Sequence, residues 1–542
     1  MKERVPVAVL LAGGRHDYVH SARPLLKALE ATQHFHLEVV TNANELPLRN
    51  AKVLLAASDH ALVTGQAALL TDFVTGGGGL VLLHGTLAAW AESADLTQLA
   101  RWTPSGPGPL TELVIRPDAS HPITSRLREL KLHDELYFSE GPPGDAAVLL
   151  RASWRYTDQV VAYERSVGAG HFVHLGLGHD ASTYEIDGFQ RLVQRTLMFA
   201  AGQVAAPAIG VGLVGYGAIA RLHAASIAAT SGLSLAGVCD VSDERRQQAA
   251  HDWSVPTHAR AEAMLEDPEV GVVVVGTPPS IHFDSAMAAL KAGKHVVCEK
   301  PFAIRVEEVD RMIDAAAARD RVLTVYQSRR WDPDYLALRD VVRSGRIGDA
   351  FYMESFIGGY DHPCDFWHSH EPISGGMIYD WGSHYFDWIL QLIPDPVRSI
   401  SANAHKRVWH DVTNSDQVRI DLTFAGGAQA TFLQSDIASV RKPKWYVLGT
   451  RGAVIGEWQA EAIPADFPAR MKVFRPGDGG SHEELIQLSP RDDHGFYRNL
   501  ADHLAWDEPL AVTAQEARRT VAVMEAATRS IAQGGAQLEV DI

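Results

Sequence analysis

At 542 residues the chain is too long for a single hydrophobic core, and with 46% hydrophobic against 21% charged residues it is too apolar for a disordered one; two to four globular domains are expected. A net charge of −17, with no basic stripe interleaved with aromatics, argues against nucleic-acid partners. Apolar runs such as Val5 to Leu11 and Val270 to Val275 are strand-length and far short of a bilayer crossing, and Cys239, Cys298 and Cys364 are too widely spaced for a paired motif. A cytoplasmic protein with no membrane attachment is expected.

The opening Met1-Lys2-Glu3-Arg4 and the apolar run after it read as a first strand rather than a signal segment, because the run stops at Gly13-Gly14. Strands are then predicted at Val5 to Leu11, His36 to Val40, Lys52 to Ala56 and Leu80 to Leu83, with helices at Ala22 to Ala31 and Gly65 to Thr75. This alternation implies α/β architecture with a parallel sheet covered on both faces.

Five short segments follow one another along this region: Gly14-Arg15-His16-Asp17-Tyr18, Gly77 to Gly85, Ser120 to Thr124, Asp134-Glu135-Leu136-Tyr137 and Leu175 to Asp180. They resemble the ThuA family, named for trehalose utilisation and related to class I glutamine amidotransferase domains. The resemblance implies a flavodoxin-like or amidotransferase-like parallel-sheet domain over residues 1–204. An amidotransferase needs a thiolate at its strand-to-helix elbow, where this chain has His84, and the domain contains no cysteine, so glutamine hydrolysis by that route is excluded. His16, His84, Asp134, Glu135 and His179 could gather at the carboxyl edge of the sheet as a sugar-binding, acid–base or metal site. Spacing alone leaves their convergence open, and no metal site is assigned. The domain could act on a keto-sugar, bind carbohydrate without chemistry, or serve assembly.

A boundary is expected near Ala205-Ala206-Pro207, followed by a second βα series at Ile209 to Val214, Leu235 to Cys239, Val270 to Val275, His295 to Val297 and Val322 to Tyr326. The first of these strands runs into Gly215-Tyr216-Gly217-Ala218-Ile219-Ala220, a G-x-G-x-x-A fingerprint between strand and helix. Gly215 permits the turn, Gly217 lets a pyrophosphate approach the backbone, and Ala220 lets the helix pack close to the sheet. Asp240, ending the next strand, can accept from ribose hydroxyls and repel a 2′-phosphate, which favours NAD over NADP; the other role open to it is capping the helix near Asp243.

Further on stand Thr277-Pro278-Pro279-Ser280-Ile281-His282 and Ala292 to Pro301 with its Glu299-Lys300-Pro301. With the glycine turn, these segments resemble the glucose–fructose oxidoreductase, inositol dehydrogenase and MocA family. The resemblance covers residues 207–542 and includes the segment Val325 to Trp331. It implies a Rossmann domain over 207–330, with Thr277, Pro278, His282, Glu299, Lys300 and Gln327 beside the cofactor, and an α+β substrate domain over 331–542. Closely spaced strands at Gln417 to Thr423, Ala428 to Leu433 and Trp445 to Leu448 fit a large mixed or antiparallel sheet there, closed by a helix at Ala514 to Gln533.

Lys300 falls at the carboxyl end of a parallel strand, the edge where open α/β sheets bind ligands, and its ammonium can stabilise a developing alkoxide. In Ser374 to Asp387, Asp380 and His384 stand i and i+4 on an expected helix, so their side chains would share a face, the imidazole taking a proton and the carboxylate orienting it. The resemblance makes Lys300, Asp380 and His384 the catalytic trio and leaves Asp387 structural. The aromatic- and histidine-rich loop Tyr360 to His370 offers Trp367 and His368 either to a carbohydrate pocket or to packing.

These features together imply oxidation of a secondary hydroxyl of a sugar, glycoside or polyol, with the N-terminal domain binding or processing the keto product, in a homo-oligomer. Redox-neutral cleavage or epimerisation through a keto intermediate is the alternative within enzymes, and a non-catalytic sensor of NAD and sugar the alternative outside them.

Overall fold

The computed structural model describes residues 4–102, 104–118, 120–138, 144–155, 157–203, 208–364, 366–458, 469–477 and 480–542. The expected boundary at Ala205-Ala206-Pro207 and Asp365 of the aromatic loop lie outside the described residues. The chain forms two compact units, residues 1–207 with 501–509 and residues 208–500 with 510–542. The short segment 501–509 therefore groups with the first unit, although the sequence assigns it to the last domain.

The first unit is built on a nine-stranded sheet among the described residues. Five neighbouring strands run parallel, in the order Phe35–Val40, Val5–Ala12, Val53–Ser58, Gly79–Leu83 and Gly170–Leu175. Alternation along Val5–Ala12 sends Val7, Val9 and Leu11 into one core and Ala8, Leu10 and Ala12 into another. A strand buried on both faces must be apolar throughout, which explains its near-continuous hydrophobic sequence. Beyond Gly170–Leu175 the sheet continues antiparallel through Thr157–Val167, Ala147–Trp154, Thr111–Pro117 and Leu130–Asp134. The parallel sheet expected for this unit is present, and an antiparallel half whose strands carry alternating polar residues extends it.

The second unit opens with a six-stranded parallel sheet in the order Thr257–His258, Leu233–Cys239, Ile209–Val214, Val270–Val275, His295–Cys298 and Leu323–Val325. In chain order this is 3-2-1-4-5-6, the doubly wound arrangement whose crevice opens where the order reverses, between the first and fourth strands. A nine-stranded sheet follows, antiparallel except where Ala350–Gly358 pairs in parallel with Gln429–Ser435. Against it packs the helix Gly382–Leu392, whose buried Tyr385, Phe386 and Trp388 interlock with Phe432 and Trp445. The closing helix Ala514–Ala532 starts at Thr513, whose hydroxyl and the Glu516 carboxylate form a capping box. No helix among the described residues is long and apolar enough to cross a membrane.

Candidate functional site

The carboxyl ends of the six-stranded sheet deliver the segments singled out in the sequence. Gly215 sits at φ +93°, and a side chain there would press on the Gly276 carbonyl, so only glycine closes this turn. At Gly217, N-cap of the helix Ala218–Ala228, the space a Cβ would enter is open and no side chain caps the free amides. On the loop that adjoins Gly215, the buried Thr277 hydroxyl lacks a hydrogen-bond partner. Open space over free helix-terminal amides, with an unsatisfied hydroxyl on the adjoining loop, fits a dinucleotide phosphate.

Asp240 is 5% exposed, and its two carboxylate oxygens accept from the backbone N–H groups of Tyr216 at 2.7 Å and Ser242 at 2.8 Å. The following helix is capped by Ser242, not by Asp240. Arg245 lies 3.6 Å from the same carboxylate, and Arg246 donates to the Asp240 carbonyl at 2.6 Å. His282 is fully buried between the carbonyls of Thr277 at 2.7 Å and Pro301 at 2.8 Å. It ties two loops of the crevice together, with both ring nitrogens engaged by these carbonyls.

A cavity of about 230 Å³ joins this crevice to the second sheet, lined by Ile219, Gly276, Thr277, Pro279, Glu299, Lys300 and Pro301 on one side and by Trp367, His368, Ser374, Tyr379 and Asp380 on the other. Lys300, followed by a cis peptide bond to Pro301, donates from Nζ to Asp380 Oδ1 at 2.9 Å. Burial alone would raise the Asp380 carboxyl, but the Lys300 charge and hydrogen bond outweigh it and hold the group below its usual range. Glu299 accepts the Lys300 backbone N–H at 2.8 Å and meets His223 Nε2 at 2.9 Å, while His223 Nδ1 lies 2.6 Å from the Tyr497 hydroxyl.

The expected single helix carrying Asp380 and His384 is broken. It runs as Met377–Asp380 and then Gly382–Leu392, and among the described residues no hydrogen bond or ion pair joins the two side chains. Asp380 is engaged by Lys300, and His384 Nδ1 instead meets Gln327 Oε1 at 3.0 Å. The Gln327 amide donates to the Ser383 carbonyl at 2.9 Å, so its oxygen must face the imidazole and Nδ1 must carry the proton. The lone pair is thereby left on Nε2. Burial, followed by the charges of Lys300, Arg329 and Lys444, pushes His384 well below its ordinary value, keeping it neutral and able to accept a proton. His384 is not one of the residues lining this cavity. Asp387 accepts from Arg330 Nε at 2.7 Å and Nη2 at 2.6 Å in a buried pair, while Arg330 Nη1 donates to Glu516 at 3.0 Å. Trp367 and His368 stack with ring centroids 3.6 Å apart and present one flat wall to the cavity.

In the first unit, the expected residues do converge. His16 follows the strand Val5–Ala12, His84 follows Gly79–Leu83, and His179 lies beyond Gly170–Leu175, with ring centroids 4.9 to 5.2 Å apart. Glu135 approaches His84 Nε2 at 3.5 Å and His179 Nδ1 at 3.6 Å. Asp134 plays another part: its carboxylate accepts from the N–H groups of Glu135 and Gly178, both at 2.8 Å, and from the Thr183 hydroxyl at 2.7 Å, fixing the loops that carry Glu135 and His179. His84 occupies the elbow at φ +48°, and burial, reinforced by His16 and His179, lowers it to about 3.

Sequence reasoning did not reach Asp59 or Gln327's partner role. Asp59, just past Val53–Ser58, gathers the backbone N–H groups of Arg15 at 3.0 Å and His16 at 2.7 Å and bonds His16 Nδ1 at 2.9 Å. Its place one residue beyond a parallel strand, beside Gly13-Gly14, was the available signal. His223 and Tyr497 carried none, since each lies inside an ordinary amphipathic helix.

Models of three families match the chain: trehalose utilisation, ThuA, over 6–200; the oxidoreductase family with an NAD-binding Rossmann fold over 209–327; and the GFO/IDH/MocA C-terminal domain over 335–455. The chain is similar to scyllo-inositol 2-dehydrogenase (NADP(+)) of Bacillus subtilis, strain 168, at 28% identity over 287 residues, 50% of this chain and 79% of the relative. It is also similar to myo-inositol 2-dehydrogenase of Thermotoga maritima, at 28% identity over 331 residues, 59% of this chain and 96% of the relative. The solved structure of an NAD-binding protein from Listeria innocua aligns with a TM-score of 0.54 and 28% identity, covering 61% of this chain and 96% of that one. The chain therefore belongs to the GFO/IDH/MocA oxidoreductase family and carries a ThuA domain ahead of its nicotinamide-binding Rossmann fold.

Proposed function

We propose that the second unit oxidises a secondary hydroxyl of a sugar, glycoside or polyol to a ketone using NAD. The observation that carries this reading is the Lys300–Asp380 pair, 2.9 Å apart on the wall of a cavity shared with the glycine-turn crevice. When bound, the nicotinamide supplies the acceptor for the hydride that leaves the carbinol carbon. Lys300, aimed by Asp380, donates to the substrate oxygen and stabilises the negative charge that builds on it. His384, its Nε2 lone pair fixed by Gln327, takes the hydroxyl proton through one intervening water. The stacked Trp367 and His368 offer a flat surface to the apolar C–H face of a ring, with the polar edge turned to Lys300 and Asp380.

NAD is preferred to NADP in this reading because Asp240 ends the second strand of the sheet, from which a carboxylate would repel a 2′-phosphate, although Arg245 and Arg246 lie close by. The similarity to two inositol dehydrogenases supports the substrate class. The test is absorbance of the reduced cofactor when purified protein meets NAD and a panel of sugars, glycosides and inositols. Accumulation with at least one of them supports the proposal. Sugar altered without net reduced cofactor would replace it by redox-neutral chemistry, and binding without change in either would leave a sensor.

A further inference from the structure

The side chains gathered in the first unit have a property that hydrogen bonding does not explain. Four of them, His16, His84, Glu135 and His179, each turn one nitrogen or oxygen to a common point, with all four atoms within 4.8 Å of one another. Three of these atoms, His84 Nε2, Glu135 Oε2 and His179 Nδ1, are buried with no hydrogen-bond partner. The His84 side chain is 0% exposed, so its Nε2 is withdrawn from bulk solvent.

The outer contacts determine which nitrogens carry lone pairs. The Tyr18 hydroxyl has one proton, and it lies 3.2 Å from Asp59 Oδ1, which can only accept. The tyrosine oxygen therefore accepts from His84 Nδ1 at 3.0 Å, leaving a lone pair on His84 Nε2. Asp59 likewise takes the proton of His16 Nδ1 at 2.9 Å, leaving a lone pair on His16 Nε2. Two imidazole lone pairs and a carboxylate oxygen thus meet in a buried place, an arrangement that repels itself until a cation fills it.

Spacing identifies the cation class. With bonds of about 2.0–2.1 Å, tetrahedral ligand atoms lie about 3.4 Å apart. Glu135 Oε2 stands 3.5 Å from His84 Nε2 and 3.6 Å from His179 Nδ1, too long for good hydrogen bonds and close to that edge length. We propose that the first unit holds one first-row divalent transition-metal ion, zinc by its ligand chemistry, between His16 Nε2, His84 Nε2, His179 Nδ1 and Glu135 Oε2. Asp59 and Tyr18 act as positioning residues that orient the two imidazoles from behind, as carboxylates commonly do for metal-bound histidines. The His179 side chain is 21% exposed, which leaves the centre open on that side to a hydroxyl or carbonyl oxygen as a further ligand.

The experiment uses the full chain, stripped with a chelator and dialysed against Zn²⁺ or Co²⁺. Metal analysis should return one equivalent per chain, and Co²⁺ should give the visible bands of a four- or five-coordinate ion. His179→Ala and the near-isosteric Glu135→Gln, with circular dichroism confirming the fold, should each weaken binding at least 100-fold. Asp59→Asn should weaken it about 10- to 100-fold and shift the Co²⁺ bands. His20→Ala, an exposed histidine nearby, should retain the full equivalent. No stoichiometric metal in the wild type, or an equivalent retained by folded His179→Ala and Glu135→Gln, overturns the proposal and leaves a proton shared among these groups.

Discussion

Gln327 holds His384 in one tautomer: the amide nitrogen is spent on the Ser383 carbonyl at 2.9 Å, so its oxygen meets Nδ1 at 3.0 Å and Nε2 is left to accept. An amide in this place, where a carboxylate would stabilise the imidazolium, leaves the histidine weakly basic. Burial and three neighbouring cations push it the same way.

The wild-type enzyme should therefore keep kcat/KM constant as pH falls through 6.5, the ordinary histidine value, because His384 stays neutral there. Gln327→Glu should move the acidic limb upward, since a carboxylate at Nδ1 stabilises the protonated ring. A pH–rate profile with the same limb in both proteins would remove His384 as the base.

Lys300→Ala and His384→Ala should each lower kcat by about 10²–10⁴-fold, the range expected for loss of a group acting in the transition state. Cofactor affinity, followed by quenching of tryptophan fluorescence, should change far less. Asp380→Asn should fall between wild type and these variants, because the lysine survives without its aiming partner.

Asp240→Ser should shift the ratio of kcat/KM for NADP over NAD by tenfold or more, since relief of about 1.4 kcal/mol of repulsion corresponds to that factor. An unchanged ratio would mean that Arg245 and Arg246 already neutralise the carboxylate.

Asp436 is pushed up to about 7 by burial, with Asp380, Asp416 and Asp361 adding to it. An acid whose folded value lies above its unfolded one favours folding below about pH 4, and this contribution is lost as pH rises to about 7. Asp436→Asn should consequently gain on wild type in urea midpoint between pH 4 and pH 7 and hold that gain above. At about 1.4 kcal/mol per pKa unit the effect amounts to a few kcal/mol at most.

Asp387→Ala should cost up to about 3 kcal/mol in denaturant unfolding, because it leaves Nε and Nη2 of the buried Arg330 guanidinium without their carboxylate, while Nη1 keeps Glu516 and the Ala511 carbonyl. Replacing both partners with apolar residues should cost less than the single change.

Local rules made much of this protein legible without coordinates. The strands Ile209–Val214 and Val270–Val275 stand at their expected bounds, because strands buried on both faces must be continuous apolar runs ended by glycine. Lys300 and the glycine turn were placed at one sheet edge by the same reasoning. What chain-local reasoning misassigned was partnership. Spacing of i and i+4 joined Asp380 to His384, yet the break at Trp381 and a lysine 80 residues away decided otherwise. The histidines of the first unit were visible one by one, but their convergence with Glu135, and the part of Asp59 behind His16, depend on parallel strands bringing distant chain segments to one edge. Periodicity and turn chemistry act over a few residues and are written in order along the chain, whereas the partner of a buried polar atom is chosen by packing across the sheet, which no local pattern records.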